Sequence, residues 1–450
     1  MLAHFLENSL ENHRAGQVSR ILGDALDAAD PRRAVTRALR LDGERLEMNG
    51  GSVDLRGKRV RVVGAGKAAV AMTRGLLDVL GDRVEGVIIA KHAPDDDPLP
   101  DSIRVLTGAH PVPGEESVTA TCALAESLSG CTQEDLVIAL ISGGGSALMT
   151  LPQDGIDLPE LQLLTRSLLA CGASINEMNT LRKHLDSVKG GGLAKLASPA
   201  RLITLILSDV TGSPLDVIAS GPTVPDSTTY QDALAILKKY DLERRVPRSI
   251  ARLLEKGVHG EIPDTAKPGD PIFERVTNRI IADNSQAAEA ALAQAKAEGF
   301  NTLLLTTYLQ GEASQAGVFL AGVLREVAVS GRPLPRPCCI VAGGETTVTL
   351  HGQGKGGRNQ ELAVGAMSHL AGLPDIALIT LATDGEDGPT DAAGAVITGE
   401  TLEKAREMAL SPLLALQSNN TYPFLDHLGA LLKPGPTGTN VNDLAFLFAF

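Results

Sequence analysis

The chain has no tryptophan, only 3% aromatic residues, and five cysteines among 450 residues. Cores must therefore be assembled from Ala, Leu, Val and Ile, and the aromatic platforms on which nucleic-acid bases stack are missing. Basic residues are also in short supply: 41 Lys and Arg face 54 Asp and Glu, a net charge of −13. That balance excludes a broad nucleic-acid-binding face, and any anionic ligand needs a local basic pocket against an opposing overall field. The cysteines (Cys122, Cys131, Cys171, Cys338 and Cys339) show no CxxC or Cys/His spacing. An odd number so placed reads as reduced core thiols, not as disulfides or a zinc site. No apolar run approaches the ~18 residues of a membrane span. Met1 to His13 carries acids and lacks the basic-then-apolar order of a signal peptide, so the expected compartment is the cytoplasm.

What remains is the composition of a globular protein, 43% hydrophobic and 21% charged. Glycine, at 47 of 450 residues, is about 10% against an average of ~7%. The length exceeds what one core serves, so two domains are expected. From about Arg59, apolar strand-like runs alternate with helical patterns. The runs Arg59–Val63, Val84–Ala90, Ile103–Thr107, Leu136–Ile141 and Leu202–Leu207 predict strands, with helices at Ala68–Leu80 and Ser117–Leu128. Continuously apolar strands separated by helices predict a parallel sheet covered on both faces. The charged, proline-bearing stretch from Asp241 to Pro271 places a domain boundary near residue 260. Beyond it, strands are expected at Ile280–Asp283, Leu303–Thr307, Cys338–Ala342, Thr346–Leu350, Ile376–Ala382, Ala393–Ile397 and Leu444–Phe448. Thr346–Leu350 follows its neighbour too closely for a crossover helix, which predicts a mixed second sheet. The fold class is thus α/β: a Rossmann-like parallel-sheet N-terminal domain and a second α/β domain with a mixed sheet.

The loops carry the chemistry. Gly64-Ala65-Gly66-Lys67-Ala68-Ala69 is a strand–turn–helix with a G-x-G-x-x-A pattern. It resembles a dinucleotide fingerprint, but the acid expected after the next strand is replaced by Lys91-His92. Lys67 reads as a phosphate or carboxylate contact, or as a solvated lysine at a tight turn. Ser142-Gly143-Gly144-Gly145-Ser146 follows a strand, and its amides suit an anion-binding nest better than a plain turn. Asp209 and Asp384, each just past a strand, suit Mg²⁺ and its waters, with Asp387 and Asp391 behind them; Asx-turn chemistry is the alternative. Arg182 to Gly192 is helical and then Gly-terminated: Arg182 fits the C-terminal helix dipole, Lys189 less so. Gly343-Gly344-Glu345-Thr346-Thr347, with Gly354-Lys355-Gly356-Gly357-Arg358-Asn359-Gln360-Glu361 shortly after, crowds glycine, hydroxyl, base and carboxylate between a strand and a helix. An arginine fork there suits carboxylate or phosphate oxygens.

Taken in order, Gly64–Ala69, His110–Gly114, Ser142–Ala147, Arg182–Gly191, Ser208–Val210 with Val217–Thr223, Gly343–Glu361, Thr383–Gly394 and Gly435–Leu444 resemble the glycerate 2-kinase family, whose C-terminal part is called the MOFRL domain. With the boundary near residue 260, domains are expected at 1–260 and 261–450, and the resemblance implies a MOFRL region at about 335–448. It further implies phosphorylation of D-glycerate at its 2-hydroxyl by ATP with Mg²⁺, giving 2-phosphoglycerate, at a site between the two domains. The family's functional lysine and arginine fall on Lys67 and Arg358. Gly64, Gly66, Ser142, Gly143, Gly144, Gly145, Ser146, Lys189, Glu345, Thr346 and Asn359 are the expected substrate or phosphate contacts, with Asp209 and Asp384 as metal holders. Partners are then the small acid and a nucleotide, with no nucleic acid or membrane; a homodimer is left open. Two departures stand out. Thr211, Ser213 and Pro214 occupy the loop where the family has a proline and two acids, which shifts weight to Asp209 or Asp216, and Gly192 stands where a polar residue is common. The rival readings are an NAD(P)H-dependent hydroxypyruvate reductase, from the G-x-G-x-x-A turn, and a non-catalytic phosphometabolite-binding protein.

Overall fold

The computed structural model of the chain describes residues 3–92 and 97–450. Two compact units result: Pro31–Ile281, and a second that joins the residues up to Asp30 to Ala282–Phe450. The division expected near 260 moves to Ile281, because the strand after the proline-bearing stretch belongs to the first unit's sheet.

The Pro31–Ile281 unit begins with a helix, Pro31–Ala38, and a three-stranded meander of β1 (Leu39–Asp42), β2 (Arg45–Met48) and β3 (Gly51–Asp54). Its main sheet contains β4 (Val60–Ala65), β5 (Val84–Ala90), β6 (Ile103–Thr107), β7 (Leu136–Ile141), β8 (Arg201–Leu207) and β9 (Val276–Ala282). They stand in the order β6-β5-β4-β7-β8-β9, with parallel registers between β4 and β5, β5 and β6, β4 and β7, and β7 and β8. β7 is buried along its whole length, as a strand with helices on both faces must be. The order reverses between β4 and β7, and at such a switch point the strand-end loops part to leave a ligand crevice.

Four helices, Leu158–Ala170, Ile175–Leu185, Tyr230–Lys239 and Arg248–Val258, form a core of their own around Leu164, Leu168, Leu181, Leu237 and Leu254. The second of them starts on a capping box. Ser174 Oγ accepts the Glu177 N–H, and Glu177 Oε2 accepts the Ser174 N–H.

The other unit holds a sheet of β10 (Asn301–Leu309), β11 (Cys338–Gly344), β12 (Ile376–Ala382), β13 (Gly394–Thr398), β14 (Leu431–Leu432) and β15 (Asp443–Ala449), in the order β10-β11-β15-β12-β13-β14. It is mixed, but not for the expected reason. The strand expected at Thr346–Leu350 does not form: Thr347 makes one isolated bridge to Glu312, and Leu350 is 77% exposed. The mixed character comes from β15, which inserts antiparallel to both β11 and β12, and from the antiparallel pairs β12–β13 and β13–β14, beside the parallel pair β10–β11. Helix Asn12–Ala29 belongs to this unit, packing Val18, Ile21 and Leu22 near the small-residue face of Asn284–Ala297 and pairing Arg20 with Glu298 (Nη2–Oε2 2.8 Å). Among the described residues no helix is long and apolar enough to cross a membrane.

Candidate active site

In the Pro31–Ile281 unit, the loops after β4 and β7 are tied to each other. The Lys67 N–H donates to the Gly143 carbonyl (2.9 Å), the Ser142 N–H donates to the Ala65 carbonyl (3.1 Å), and Ser142 Oγ accepts the Ala68 N–H (3.0 Å). Glycine is required at two of these positions. Gly66 has φ +145°, and a Cβ there would lie 2.0 Å from Ser142 Oγ. A Cβ on Gly143 would lie 2.0 Å from Asp209 Oδ2, so the carboxylate past β8 rests against the glycine loop. Gly64, Gly66, Lys67, Ser142 to Ser146 and Asp209 are thereby gathered at the switch point. The Lys67 side chain is exposed and makes no hydrogen bond or ion pair among the described residues, while its Cγ would lie 3.5 Å from a Cβ on Gly144. His110 packs on the same glycine; burial first, then Lys67 and Lys91, holds its imidazole below the ordinary value and so favours the neutral ring.

Beside the loop, Ser146 Oγ lies 2.9 Å from Ser220 Oγ, which donates to Asn179 Oδ1 (3.0 Å). Ala219 and Ser220 both have left-handed φ (49° and 61°), strain that non-glycine residues carry only where surroundings impose it. Here the strain presents the Ser220 hydroxyl to the glycine loop. Lys189 lines the same cavity but is differently employed from the anion contact expected of it. Its ammonium is buried, paired with Asp186 and donating to the Met149 carbonyl and Thr150 Oγ1 (3.3 Å each). Burial pushes the two toward a neutral pair, Asp186 up and Lys189 down. The other cation is Arg182, half-buried in the cavity wall near Asp186; the arginine side chain makes no hydrogen bond or close ion pair among the described residues. Its position in the last turn of a helix suits dipole compensation equally well, so the sequence gives no signal that singles it out.

The donor set bears on magnesium. Among the described residues no three His, Cys, Asp or Glu side chains gather in metal-holding geometry. Mg²⁺, however, commonly takes one or two carboxylates and completes its shell with waters and substrate phosphates. Asp209 against the glycine loop fits an ion arriving with phosphates. Asp384 is half-buried and accepts the Glu386 N–H at 3.1 Å, an Asx-turn contact.

In the other unit, Gly343 and Gly344 end β11, Glu345 follows, and Arg358 is the first residue of helix Arg358–Leu370. Arg358 is clamped by two acids. Its Nε donates to Asp443 Oδ2 (2.5 Å), Nη2 to Asp443 Oδ1 (3.3 Å) and Nη1 to Glu345 Oε1 (2.7 Å). Burial opposes its charge, but Asp443 and then Glu345 outweigh burial and raise the guanidinium above its ordinary value. Asp443 escapes sequence reasoning: only the registers Gly344↔Asp443 and Ala382↔Asp443 bring the first residue of the last strand to this place. Asn359 is buried with its N–H on Asp387 Oδ1 (3.1 Å), the Gln360 N–H is on Asp387 Oδ2 (2.9 Å), and Thr346 is buried nearby in sequence. Asp387 thus caps the helix that carries Arg358. Glu361 accepts from Asn419 Nδ2 (2.8 Å), an orienting contact.

Burial, then Asp443, pushes Asp387 up to about 7 against the two amides and Arg358. A carboxyl whose folded value is raised is most favourable below its unfolded value of 3.8 and loses that advantage as pH climbs through about 7. The stability of the wild type relative to Asp387→Asn is therefore expected to fall between about pH 4 and pH 7 and to level off above. Thermal unfolding of both proteins across that range checks it; a difference that stays flat or grows with pH contradicts it.

Comparisons with known proteins bear on both units. The family model described as "Domain of unknown function (DUF4147)" matches residues 17–255, and that of the MOFRL family matches residues 338–443. The chain is 43% identical to the glycerate 2-kinase of Pyrococcus horikoshii over 94% of this chain and 95% of that one. It is also 39% identical to a putative hydroxypyruvate reductase of Agrobacterium vitis, over 94% of this chain and 92% of the other. The crystal structure of a glycerate kinase from Thermotoga maritima superposes with a TM-score of 0.87 at 39% identity, covering 97% of this chain and 99% of that one.

Proposed function

Because the chain belongs to the glycerate 2-kinase family, we propose that it transfers the terminal phosphoryl group of ATP to the 2-hydroxyl of D-glycerate, giving ADP and 2-phosphoglycerate. The observation that carries this reading is the lacing of Lys67 onto the Ser142–Ser146 loop at the switch point of the parallel sheet. Phosphoryl transfer asks mainly for positioned charge, and little covalent chemistry falls to the protein. The amides of Gly143 and Gly144 and the hydroxyls of Ser142 and Ser146 hold nucleotide phosphates. Lys67 and Arg358 neutralise the glycerate carboxylate and the migrating phosphoryl group. Glu345 and Asp443 fix the plane of the Arg358 fork, and Thr346 and Asn359 line the approach to it. Asp209 holds Mg²⁺ and its waters or orients the 2-hydroxyl, with Asp384 in a lesser share; the ion, when bound, neutralises charge on the phosphate oxygens.

The G-x-G-x-x-A turn does not favour the reductase reading. In a dinucleotide site the glycines admit the pyrophosphate; here the space above Gly66 is filled by Ser142. The strand end where the ribose acid belongs is followed by Lys91 and His92. Two assays on one preparation separate the readings. ADP release that depends on D-glycerate, with no oxidation of NADH or NADPH by hydroxypyruvate, is the expected result. Nicotinamide oxidation without D-glycerate-dependent ADP release overturns it.

A further inference from the structure

The Ser142–Gly145 loop lines one side of a cavity of about 230 Å³ whose wall also has an apolar end of Leu161, Leu164, Leu168, Leu181 and Leu185 from two helices, one of which carries Arg182 as well. Leu164, Leu168, Leu181 and Leu185 are each at most 3% exposed, and yet they face open space. D-glycerate has nothing to offer such a wall, because each of its three carbons bears oxygen. A flat, weakly polar ring does: burying it there gains roughly 25 cal/mol per Å² of apolar surface. The volume is below the ~300–1,000 Å³ of pockets that enclose whole drug-sized ligands, so it takes a ring and not an entire nucleotide. Among the described residues on the wall, the charged side chains besides Arg182 and Asp209 are Asp186 and Lys189, which are paired with each other. Arg182 is therefore the cation available to an anionic group entering with the ring.

We infer that this leucine-lined end receives the base of a nucleoside phosphate, with Arg182 holding the phosphate nearest to it and the Gly143 and Gly144 amides holding the phosphates beyond. The inference rests on the kinase reading and deepens it, since it assigns the cavity to the phosphoryl donor and denies it to the acceptor. Leu164 and Leu161 shape the fit to the ring; Arg182 binds charge.

Calorimetric titration of the full-length protein with ADP, with inorganic pyrophosphate and with D-glycerate tests it. Leu164→Phe fills the cavity and is expected to weaken ADP by about tenfold or more while leaving pyrophosphate unchanged. Arg182→Met is expected to weaken both ADP and pyrophosphate. Leu161→Phe, at a half-buried wall position, is expected to weaken ADP in the same selective way, and it decides the matter alone if Leu164→Phe does not fold. ADP bound by both leucine variants as tightly as by the wild type overturns the inference, as does a selective loss of D-glycerate binding. A wild type that releases no ADP from ATP with D-glycerate brings down the kinase reading itself, a failure distinct from an active enzyme whose ADP affinity ignores the leucines.

Discussion

Lys67→Ala is expected to lose about 10²–10³-fold in turnover, roughly 2.7–4 kcal/mol of transition-state stabilisation, with its melting temperature unchanged. The two halves of that expectation have separate causes. The side chain is exposed and makes no hydrogen bond or ion pair among the described residues, so its removal leaves no partner stranded and no cavity behind. Its backbone N–H, which ties the β4 loop to Gly143, survives the substitution. What disappears is one positive charge beside amides that already attract anions. Circular dichroism melting and steady-state kinetics on the same preparation check both halves. Near-normal turnover removes Lys67 from the reaction, and a large fall in melting temperature assigns it to the fold.

Arg358→Ala is expected to lose activity at least as completely, but with a stability cost that Lys67→Ala lacks. Its guanidinium compensates Asp443, whose side chain is 12% exposed, and Glu345, which is 44% exposed. Taking the arginine away leaves Asp443 buried beside Asp387 with no compensating charge, a change of the kind that costs about 3–5 kcal/mol in a buried pair. Glu345 turns to solvent at little cost. The expected outcome is a loss of turnover beyond about 10²-fold together with a melting temperature lowered by several degrees. Arg358→Lys separates the contributions. It restores charge and most of the stability, but a point charge does not reproduce the fork, and turnover stays low. Full activity in Arg358→Lys shows that charge alone suffices and that the two-acid clamp has no part in the reaction.

The sequence shows most clearly those parts of the candidate site that lie immediately after apolar strands. The Gly64–Lys67 turn and the Ser142–Ser146 loop are legible because glycines and hydroxyls interrupt runs such as Leu136–Ile141, and the sheet order then brings the two loops together. Asp443 is illegible for the converse reason. It opens an apolar strand far along the chain, and only antiparallel insertion of β15 between β11 and β12 makes it a neighbour of Gly344. Arg182 and Lys189 show a further limit: spacing places both near one helix end, but which cation Asp186 neutralises is a matter of side-chain contact. The stretch Thr346–Leu350, expected as a strand, is rich in β-branched residues. In the fold that stretch has no ladder partner beyond Thr347, and composition cannot form a strand without one. The division at 260 followed charge and proline, whereas β9 lies beyond them and pairs back into the first sheet.

The most direct test of the account is the identity of the phosphorylated product. The wild type is incubated with ATP, Mg²⁺ and D-glycerate, and the product is read by phosphorus and carbon NMR. The account predicts phosphorus coupled to the central carbon, that is, 2-phosphoglycerate formed in step with ADP. Phosphorus on the terminal carbon, or ATP left intact while the acid is bound, contradicts it.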